Sequence, residues 1–313
     1  MPVTVDPGAI GSDVSRSRRQ YWTRRIARTL VAWLRLNKPG SFNTEFVQSI
    51  QPVATVKTEH GDLFCKCGHG RLLWRATTFH TEEPETVRWL DSLGPNDCLW
   101  DVGANVGLYS IYAARFRKCR VYAFEPESQN FALLVENIDL NRVGENCHPA
   151  CLAISEKSGL GNLLVRYVTK GGAYNLFTPT EPVAGPNGDL PESIQAVTQG
   201  RKEAPAIHQM VAGISLDDLL FEHKLVPPSH LKIDVDGIEP SIIAGASRLL
   251  DHPGLRTILI ELNRKSARDM EVPNILAKKG FQISSERSNW QSRDDRTKED
   301  AMPATNMIFS RLT

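Results

Sequence analysis

The sequence lacks several features that would assign a chain to a functional class at once. Across its 313 residues, no apolar run approaches the ~20 residues that a bilayer-spanning helix needs. The basic stretch at 16–28 is followed by only six uncharged residues, so we expect no secretory signal and a cytoplasmic location. The chain also lacks the Gly-x-Gly-x-x-Gly spacing of dinucleotide-binding turns, which disfavours a nicotinamide oxidoreductase.

Metal-binding and nucleic-acid-binding patterns are also weak. The cluster Cys65-Lys-Cys67-Gly-His69 is too closely spaced for a structural zinc site, so we assign no metal-binding residues to it, and the sequence leaves a metal requirement undecided. Residues 1–38 carry eight Arg or Lys and two Asp, whereas the remainder carries 29 basic and 34 acidic residues. A mildly acidic body disfavours nucleic acid as a partner and favours a small-molecule or glycan acceptor.

The positive charge collects in one amphipathic segment, residues 16–38. Trp22, Ile26 and Leu30 recur at helical spacing on one face, and arginines fall on the opposite face. Such a helix packs on the protein's own core or on a second subunit of a homo-oligomer, or it docks on an anionic membrane surface. The sequence leaves both interpretations open, and the second would make the protein membrane-peripheral.

Strands and helices alternate along most of the remaining chain. Alternating order predicts an α/β protein with a doubly wound, Rossmann-like parallel sheet. We assign residues 1–40 to an irregular start plus the basic helix, 41–95 to an N-terminal extension, and 96–313 to the main domain with a proline-rich insert near 171–205. The predicted extension strands are 53–57, 63–66 and 72–76, and the predicted main-domain strands are 98–102, 121–124, 149–154, 163–168, 211–214, 231–235, 257–262, 281–284 and 306–310. The predicted helices are 82–90, 106–117, 127–141, 216–223, 239–250 and 266–279.

A glycine-rich turn after the first main strand predicts an adenosine site. Asp101, Gly103, Asn105 and Gly107 form an Asp-x-Gly-x-Asn-x-Gly pattern between a strand and a helix. A carboxylate at this turn repels phosphate and suits the ammonium group of an amino-acid-bearing cofactor. Glu125, followed by Pro126, ends the next strand and can accept both ribose hydroxyls.

A second polar signature, Leu231-Lys-Ile-Asp-Val-Asp236, ends a later strand. Lys232, Asp234 and Asp236 alternate, so they point to one side of the sheet. Charges at the carboxyl end of a parallel strand are expected at the ligand cleft. We therefore predict catalytic roles for Asp234, as base or metal ligand, with Lys232 and with Glu261 and Asn263 on the neighbouring strand. The alternative is a structural Lys232–Asp234 ion pair with the base elsewhere.

These motifs together resemble the FkbM family of S-adenosylmethionine-dependent class I methyltransferases. The order is Asp-Val-Gly-Ala-Asn-x-Gly, Phe-Glu-Pro, Ser-Leu-Asp-Asp-Leu and Lys-Ile-Asp-Val-Asp-Gly-x-Glu, followed by a Gly-Ala step and an apolar strand that ends in Glu261. The match covers about residues 81–263. Asp236 stands where the family usually has the longer Glu. The resemblance implies a seven-stranded methyltransferase sheet with a reversed last strand, S-adenosylmethionine as the cofactor, and O-methylation of a sugar, glycan or glycolipid hydroxyl.

Two other functions remain open at this point. The acceptor could instead be a lipid-linked, polyketide or other natural-product hydroxyl, or an amine. The chain could also be a cofactor-binding module without catalysis, although the joint presence of Asp101, Glu125, Asp234 and Glu261 argues against a decayed site.

Overall fold

A computed structural model describes much of the chain in two compact units, residues 1–77 and 78–313. The described residues are 3–4, 25–26, 29, 52–68, 70–165, 170–173, 175–179, 207–235, 237–288 and 304–312. Residues 78–95, which the sequence assigns to the N-terminal extension, lie within the second unit. Of the predicted basic helix, residues 25, 26 and 29 are described, and they are helical and exposed. Within the described ranges, no helix has both the length and the apolar character to cross a bilayer.

The first unit is built on a β hairpin. Strands β2 (Val53–Thr58) and β3 (Gly61–Lys66) pair antiparallel, and β1 (Val3–Thr4) pairs parallel with β2. The predicted strand at 72–76 is wrong, because these residues lie in helix α1 (Gly70–Thr78). Leu72 and Ala76 are four residues apart and both buried, which is helical periodicity that a short apolar run conceals.

A seven-stranded sheet forms the centre of the second unit. Its strands in chain order are β4 (Cys98–Val102), β5 (Arg120–Phe124), β6 (Cys147–Ala150), β11 (His230–Ile233), β12 (Thr257–Asn263), β13 (Phe281–Ser288) and β14 (Ala304–Arg311). Their spatial order is β13-β14-β12-β11-β4-β5-β6, and β14 runs antiparallel to both of its neighbours. The predicted doubly wound α/β fold with a reversed last strand is confirmed.

Helices connect these strands and cover the sheet. They are α2 (Pro84–Asp91), α3 (Leu108–Tyr112), α4 (Ser128–Leu140), α5 (Leu216–Phe221), α6 (Glu239–Ala244) and α7 (Val272–Lys278). The predicted helix at 106–117 starts later and changes to a π-helix over Ala113–Arg117. The predicted helix at 239–250 ends at Ala244, and the Gly245 that follows packs closely on a neighbouring segment: a Cβ there would lie 2.6 Å from the carbonyl oxygens of Ser155 and Glu156. The helix predicted at 266–279 begins only at Val272, after a short 3₁₀ turn.

A second, four-stranded sheet lies in the same unit. Its order is β7 (Ala153–Ile154), β10 (Ile207–Ile214), β8 (Gly159–Val165) and β9 (Leu176–Pro179). The single strand predicted at 149–154 is therefore wrong: it divides at residues 151–152 between the two sheets. The irregular stretch predicted at 171–205 contains β9, and its residues 174 and 180–205 lie outside the described part. The strand predicted at 281–284 is longer in the structure, where β13 runs to Ser288, and residues 289–303 are not described.

The close approach of β4 and β11 yields a stability prediction. Gly103 has φ +82°, and a Cβ there would lie 2.0 Å from the carbonyl oxygen of Asp234. Gly103→Ala should lower the free energy of unfolding by about 2–5 kcal/mol, from left-handed backbone strain and a backbone clash. Urea unfolding measures this loss, with Gly159→Ala as the control, since nothing lies within 4 Å of its added Cβ. Equal losses in the two variants would contradict the assigned contact.

Candidate active site

The glycine-rich turn lies at the carboxyl end of β4, beside the ends of β5 and β11. Its residues Gly103, Asn105 and Gly107 have φ of +82°, +51° and +87°. The amides of Gly103 and Ala104 both donate to the carbonyl oxygen of Phe124 at 3.0 Å, which fixes the turn against β5. A Cβ on Gly107 would lie 2.3 Å from Leu134, so this glycine lets α3 approach α4.

Glu125 is held beneath this turn. One carboxylate oxygen accepts the amide of Asn105 at 2.8 Å, and the other accepts the amide of Glu127 at 2.9 Å. Only 5% of Glu125 is exposed. Burial raises the pKa of its carboxyl to about 7, against the opposing effect of the two amides. Each oxygen keeps a second lone pair for a ribose hydroxyl, as the predicted role requires.

A short loop closes over the turn from the side of the small sheet. The carbonyl oxygen of Gly172 accepts hydrogen bonds from the side-chain amides of Asn105, at 2.8 Å, and Asn130, at 3.1 Å. Asn130 in turn accepts the amide of Gly171 at 2.7 Å. Sequence reasoning missed Asn130, because an amide inside α4 carries no motif. The Gly171-Gly172 pair was the available signal for a covering loop, and Tyr174 lies outside the described residues.

Pro126 contributes its backbone and its ring. Its carbonyl oxygen accepts the side-chain amide of Gln209 at 2.6 Å, which ties β10 of the small sheet to the cofactor turn. Pro126 also lines a small apolar cavity of about 40 Å³ with Gly103, Phe177 and Ile238. This cavity lies at the ends of β4 and β5, where an apolar wall suits the flat face of an adenine.

Lys232 is the charged centre of the site. Lys232 on β11 pairs in register with Asp101 on the neighbouring strand β4. Only 1% of its surface is exposed to solvent. Its Nζ lies 2.8 Å from Asp234 Oδ2, 3.5 Å from Asp101 Oδ1 and 5.5 Å from the centre of the Tyr109 ring. The carboxylates of Asp234 and Asp101 raise the pKa of Lys232 far above its ordinary value, although burial opposes them. The ammonium therefore stays charged at any working pH.

The two aspartates beside Lys232 differ in how far their side chains are exposed to solvent. Asp101 is 1% exposed and accepts a hydrogen bond from the Ser110 hydroxyl. The side chain of Asp234 is 30% exposed. Asp234 is therefore the member of this group that an acceptor can reach.

The other predicted catalytic residues lie one strand away or outside the described part. The register pairs Ile233 with Ile260, so Asp234 and Glu261 follow at one level on β11 and β12. The side chain of Asn263 instead accepts the amide of Lys265 and organises the turn after β12. Asp236 is not described. In the described ranges, no three His, Cys, Asp or Glu side chains are grouped so that they could hold a metal ion.

Glu83 is an ionisable group that sequence reasoning did not place in the site. It precedes α2, and its carboxylate interacts electrostatically with Asp234 and Lys232. From the sequence, Glu83 belongs to an acidic run at the start of the predicted helix 82–90, where acids are ordinary. Nothing in its spacing connects it to Lys232, which is about 150 residues later in the chain.

The residues of the turn fit S-adenosylmethionine, the cofactor that the family resemblance implies. In the described structure, Asp101 Oδ1 accepts no hydrogen bond although it is buried, which leaves an acceptor for an ammonium group. Glu125 offers a carboxylate to a ribose, and the cavity beside Pro126 is apolar. Asp101 and Glu125 would therefore hold the amino-acid and ribose ends of the cofactor.

Comparison with known proteins agrees with this fit. The family model for the methyltransferase FkbM domain matches residues 101–283. The 31-O-demethyl-FK506 methyltransferase FkbM of Streptomyces tacrolimicus is 27% identical over 207 residues, covering 62% of this chain and 76% of that protein. The hexuronic acid methyltransferase AglP of Haloferax volcanii is 25% identical over 191 residues, covering 61% of this chain and 66% of that protein.

The chain also resembles a solved structure. The crystal structure of methyltransferase FkbM from Methylobacillus flagellatus KT aligns with a TM-score of 0.43 and 14% identity, over 76% of this chain and 52% of that chain.

Glu125 yields a prediction about cofactor affinity. Its pKa of about 7 means that the carboxylate takes up a proton as the pH falls through neutrality. We expect the ionised form to accept the ribose hydroxyls, so the Kd for S-adenosylmethionine should rise roughly tenfold from pH 8 to pH 6. Isothermal titration calorimetry at constant ionic strength measures this change.

Glu125→Gln supplies the matched control, because it keeps the shape of the side chain and removes its titration. Its affinity should be weaker at pH 8 and nearly independent of pH. A variant that keeps the wild-type pH dependence would remove Glu125 from the cofactor site.

Proposed function

Since the chain belongs to the FkbM methyltransferase family and is an S-adenosylmethionine-dependent methyltransferase, we propose that it methylates a hydroxyl of a sugar, glycan or glycolipid. The observation that carries the proposal is the accessible carboxylate of Asp234, held by the buried Lys232 at the carboxyl end of β11. A sugar hydroxyl is a poor nucleophile until its proton leaves, so a positioned carboxylate is the group that this chemistry requires.

The names of the relatives support a small-molecule methyl acceptor that carries a hydroxyl group, but they do not identify that acceptor. One curated relative is named for hexuronic acid and another for a demethylated FK506. The first favours a sugar acceptor, whereas the second keeps a natural-product hydroxyl as the alternative. A site made of carboxylates suits a neutral hydroxyl better than a phosphate-bearing acceptor, because like charges repel.

In the proposed mechanism, Asp234 accepts the hydrogen bond of the acceptor hydroxyl and takes up its proton. The ammonium of Lys232, 2.8 Å away, fixes the direction of the Asp234 carboxylate. Because this ammonium already occupies one oxygen of Asp234, we propose a base and not a metal ligand. Bound S-adenosylmethionine supplies a methyl group activated by its sulfonium. The loop at Gly171–Gly172 is hydrogen-bonded to Asn105 and Asn130 beside the cofactor turn, where it would limit the access of water to the bound cofactor.

Labelled-methyl transfer tests the acceptor class. Wild-type protein is incubated with methyl-labelled S-adenosylmethionine and a panel of hexuronic acid glycosides, neutral hexose glycosides, lipid-linked glycans and macrolide alcohols. We expect label on an oxygen of a sugar-containing acceptor, located by mass spectrometry after hydrolysis. Label only on a macrolide alcohol would select the natural-product alternative. No label on any hydroxyl would reject the proposed O-methylation.

Asp234→Asn tests the base. The amide keeps the size of the side chain and can still contact Lys232, but it cannot take up the proton. We expect kcat to fall by about 10²–10⁴-fold, with the Kd for S-adenosylmethionine changed little. Asp139→Asn on the exposed face of α4 is the control and should keep full activity. Wild-type turnover by Asp234→Asn would assign the Lys232–Asp234 pair a structural role.

A further inference from the structure

A second cavity lies in the same unit, away from the glycine-rich turn. Its volume is about 310 Å³, which is within the range of small-molecule sites. Helix α2 forms one wall, and strands β12, β13 and β14 form the other. Lys232 pairs with Leu259 and Leu259 pairs with Ile308, so these three side chains point to one face of the sheet. Since neighbouring strands are about 4.8 Å apart, the Ile308 wall lies about 10 Å from Lys232 along the sheet.

The contacts between α2 and the sheet place one hydroxyl on this cavity. The Trp89 ring packs edge-on against His230, with 5.9 Å between centroids, and its Nε1 donates to the Thr257 hydroxyl at 2.8 Å. Thr257 Oγ1 also lies 2.6 Å from His230 Nδ1. A hydroxyl group has one donor and two acceptor positions, and these two contacts use two of them in either tautomer of His230. One position of Thr257 therefore remains for a ligand.

The strand wall presents serine hydroxyls. Ser310 donates to Ser284 Oγ at 3.1 Å, and Ser284 donates to the carbonyl oxygen of Ile308 at 3.1 Å. Both hydroxyl hydrogens are used within the protein, whereas both oxygens keep lone pairs. Ser285 is exposed beside them, where the register of β13 shifts against β14. This wall is therefore suited to accept hydrogen bonds from a ligand that carries several donors.

Glu85 and Arg88 give the cavity one charge of each sign. Glu85 is 3% exposed, and its Oε1 accepts the side-chain amide of Asn306 at 3.3 Å. Arg88 follows on the same helix, is exposed, and carries N–H donors. The carboxylate disfavours an anionic ligand and the guanidinium disfavours a cationic one. An apolar ligand would leave the hydroxyl and charged groups without partners, so a neutral ligand with many hydroxyls fits this lining.

We propose that this cavity binds one neutral sugar residue of the glycan acceptor, at a distance from the hydroxyl that is methylated. Sugar hydroxyls donate to the serine oxygens and to Glu85, and they accept from Arg88. The apolar surfaces of Trp89 and Ile308 suit the C–H face of a sugar ring. The separation of about 10 Å along the sheet leaves room for a further sugar residue beside Asp234. This inference rests on the proposed O-methylation of a sugar-containing acceptor.

Saturation-transfer-difference NMR of the full chain, with S-adenosylhomocysteine present, measures sugar binding without methyl transfer. The probes are the methyl α-glycosides of glucose, galactose and mannose. For ligands of this size, we expect a Kd of about 1 mM for at least one of them. Absence of binding by all three glycosides would overturn the proposal.

Ser285→Trp fills the cavity from its exposed rim and should raise this Kd at least about tenfold. Ile283→Trp is the matched control, because Ile283 pairs with Phe309 and therefore points to the opposite face of β13. Arg88→Gln, on the exposed side of α2, should raise the Kd about three- to tenfold and keeps the test valid if Ser285→Trp does not fold. Wild-type affinity in both Arg88→Gln and a folded Ser285→Trp would contradict the assignment.

Methyl transfer separates this inference from the function on which it rests. With an oligosaccharide acceptor, Ser285→Trp should raise KM and change kcat little, because the cavity binds a sugar residue away from the reacting hydroxyl. Wild-type transfer to a sugar hydroxyl, with KM and sugar binding unchanged in Ser285→Trp, overturns the role of the cavity alone. Absence of transfer to every hydroxyl overturns the O-methylation, and with it the assignment of the bound sugar to an acceptor, even where Ser285→Trp abolishes sugar binding.

Discussion

One buried lysine determines the arrangement of the site. Lys232 lies in the middle of the central sheet with 1% of its surface exposed, where an unpaired ammonium would be very costly. Asp101 on one neighbouring strand and Asp234 at the end of its own strand compensate this charge. Removing one partner of such a buried pair typically costs about 3–5 kcal/mol, so the three side chains stabilise one another as a unit. The same contacts hold the accessible carboxylate of Asp234 in a fixed direction.

The order and type of the central elements could be predicted because their patterns are local. Strand β4, its glycine turn and β5 each carry their signal within a few residues, and their register places Asp101 beside Lys232. The predicted element bounds were wrong where the structure has a close contact with a segment far away in the sequence. The residues at 149–154 form one apolar run, but the chain leaves β5 after Ala150 and pairs again with β10, more than 50 residues later. The helix that begins at Glu239 ends at Ala244, where Gly245 packs on the backbone of Ser155 and Glu156, about 90 residues earlier in the chain.

The same distinction applies to the site. Asp101, Gly103, Glu125, Lys232 and Asp234 stand out because each breaks an otherwise apolar strand or begins a turn. Glu83 and Asn130 lie in helical contexts where an acid or an amide is ordinary. Their place near the site depends on the Phe79–Tyr109 contact and on the Gly172 carbonyl, respectively. Such contacts join segments 30–42 residues apart, and no spacing rule in one sequence encodes them.

The surplus of carboxylates is consistent with the charge balance of methyl transfer. S-adenosylmethionine enters with a cationic sulfonium, the demethylated product is neutral at sulfur, and each turnover frees one proton from the acceptor. A carboxyl of the cluster that keeps this proton leaves the total charge inside the covered site unchanged. In a medium of low effective dielectric constant, a step that conserves local charge avoids the large cost of creating an unpaired ion. One ammonium with two carboxyls within 4 Å, of which Asp234 is the accessible one, provides this capacity, whereas a fully neutralised pair would not.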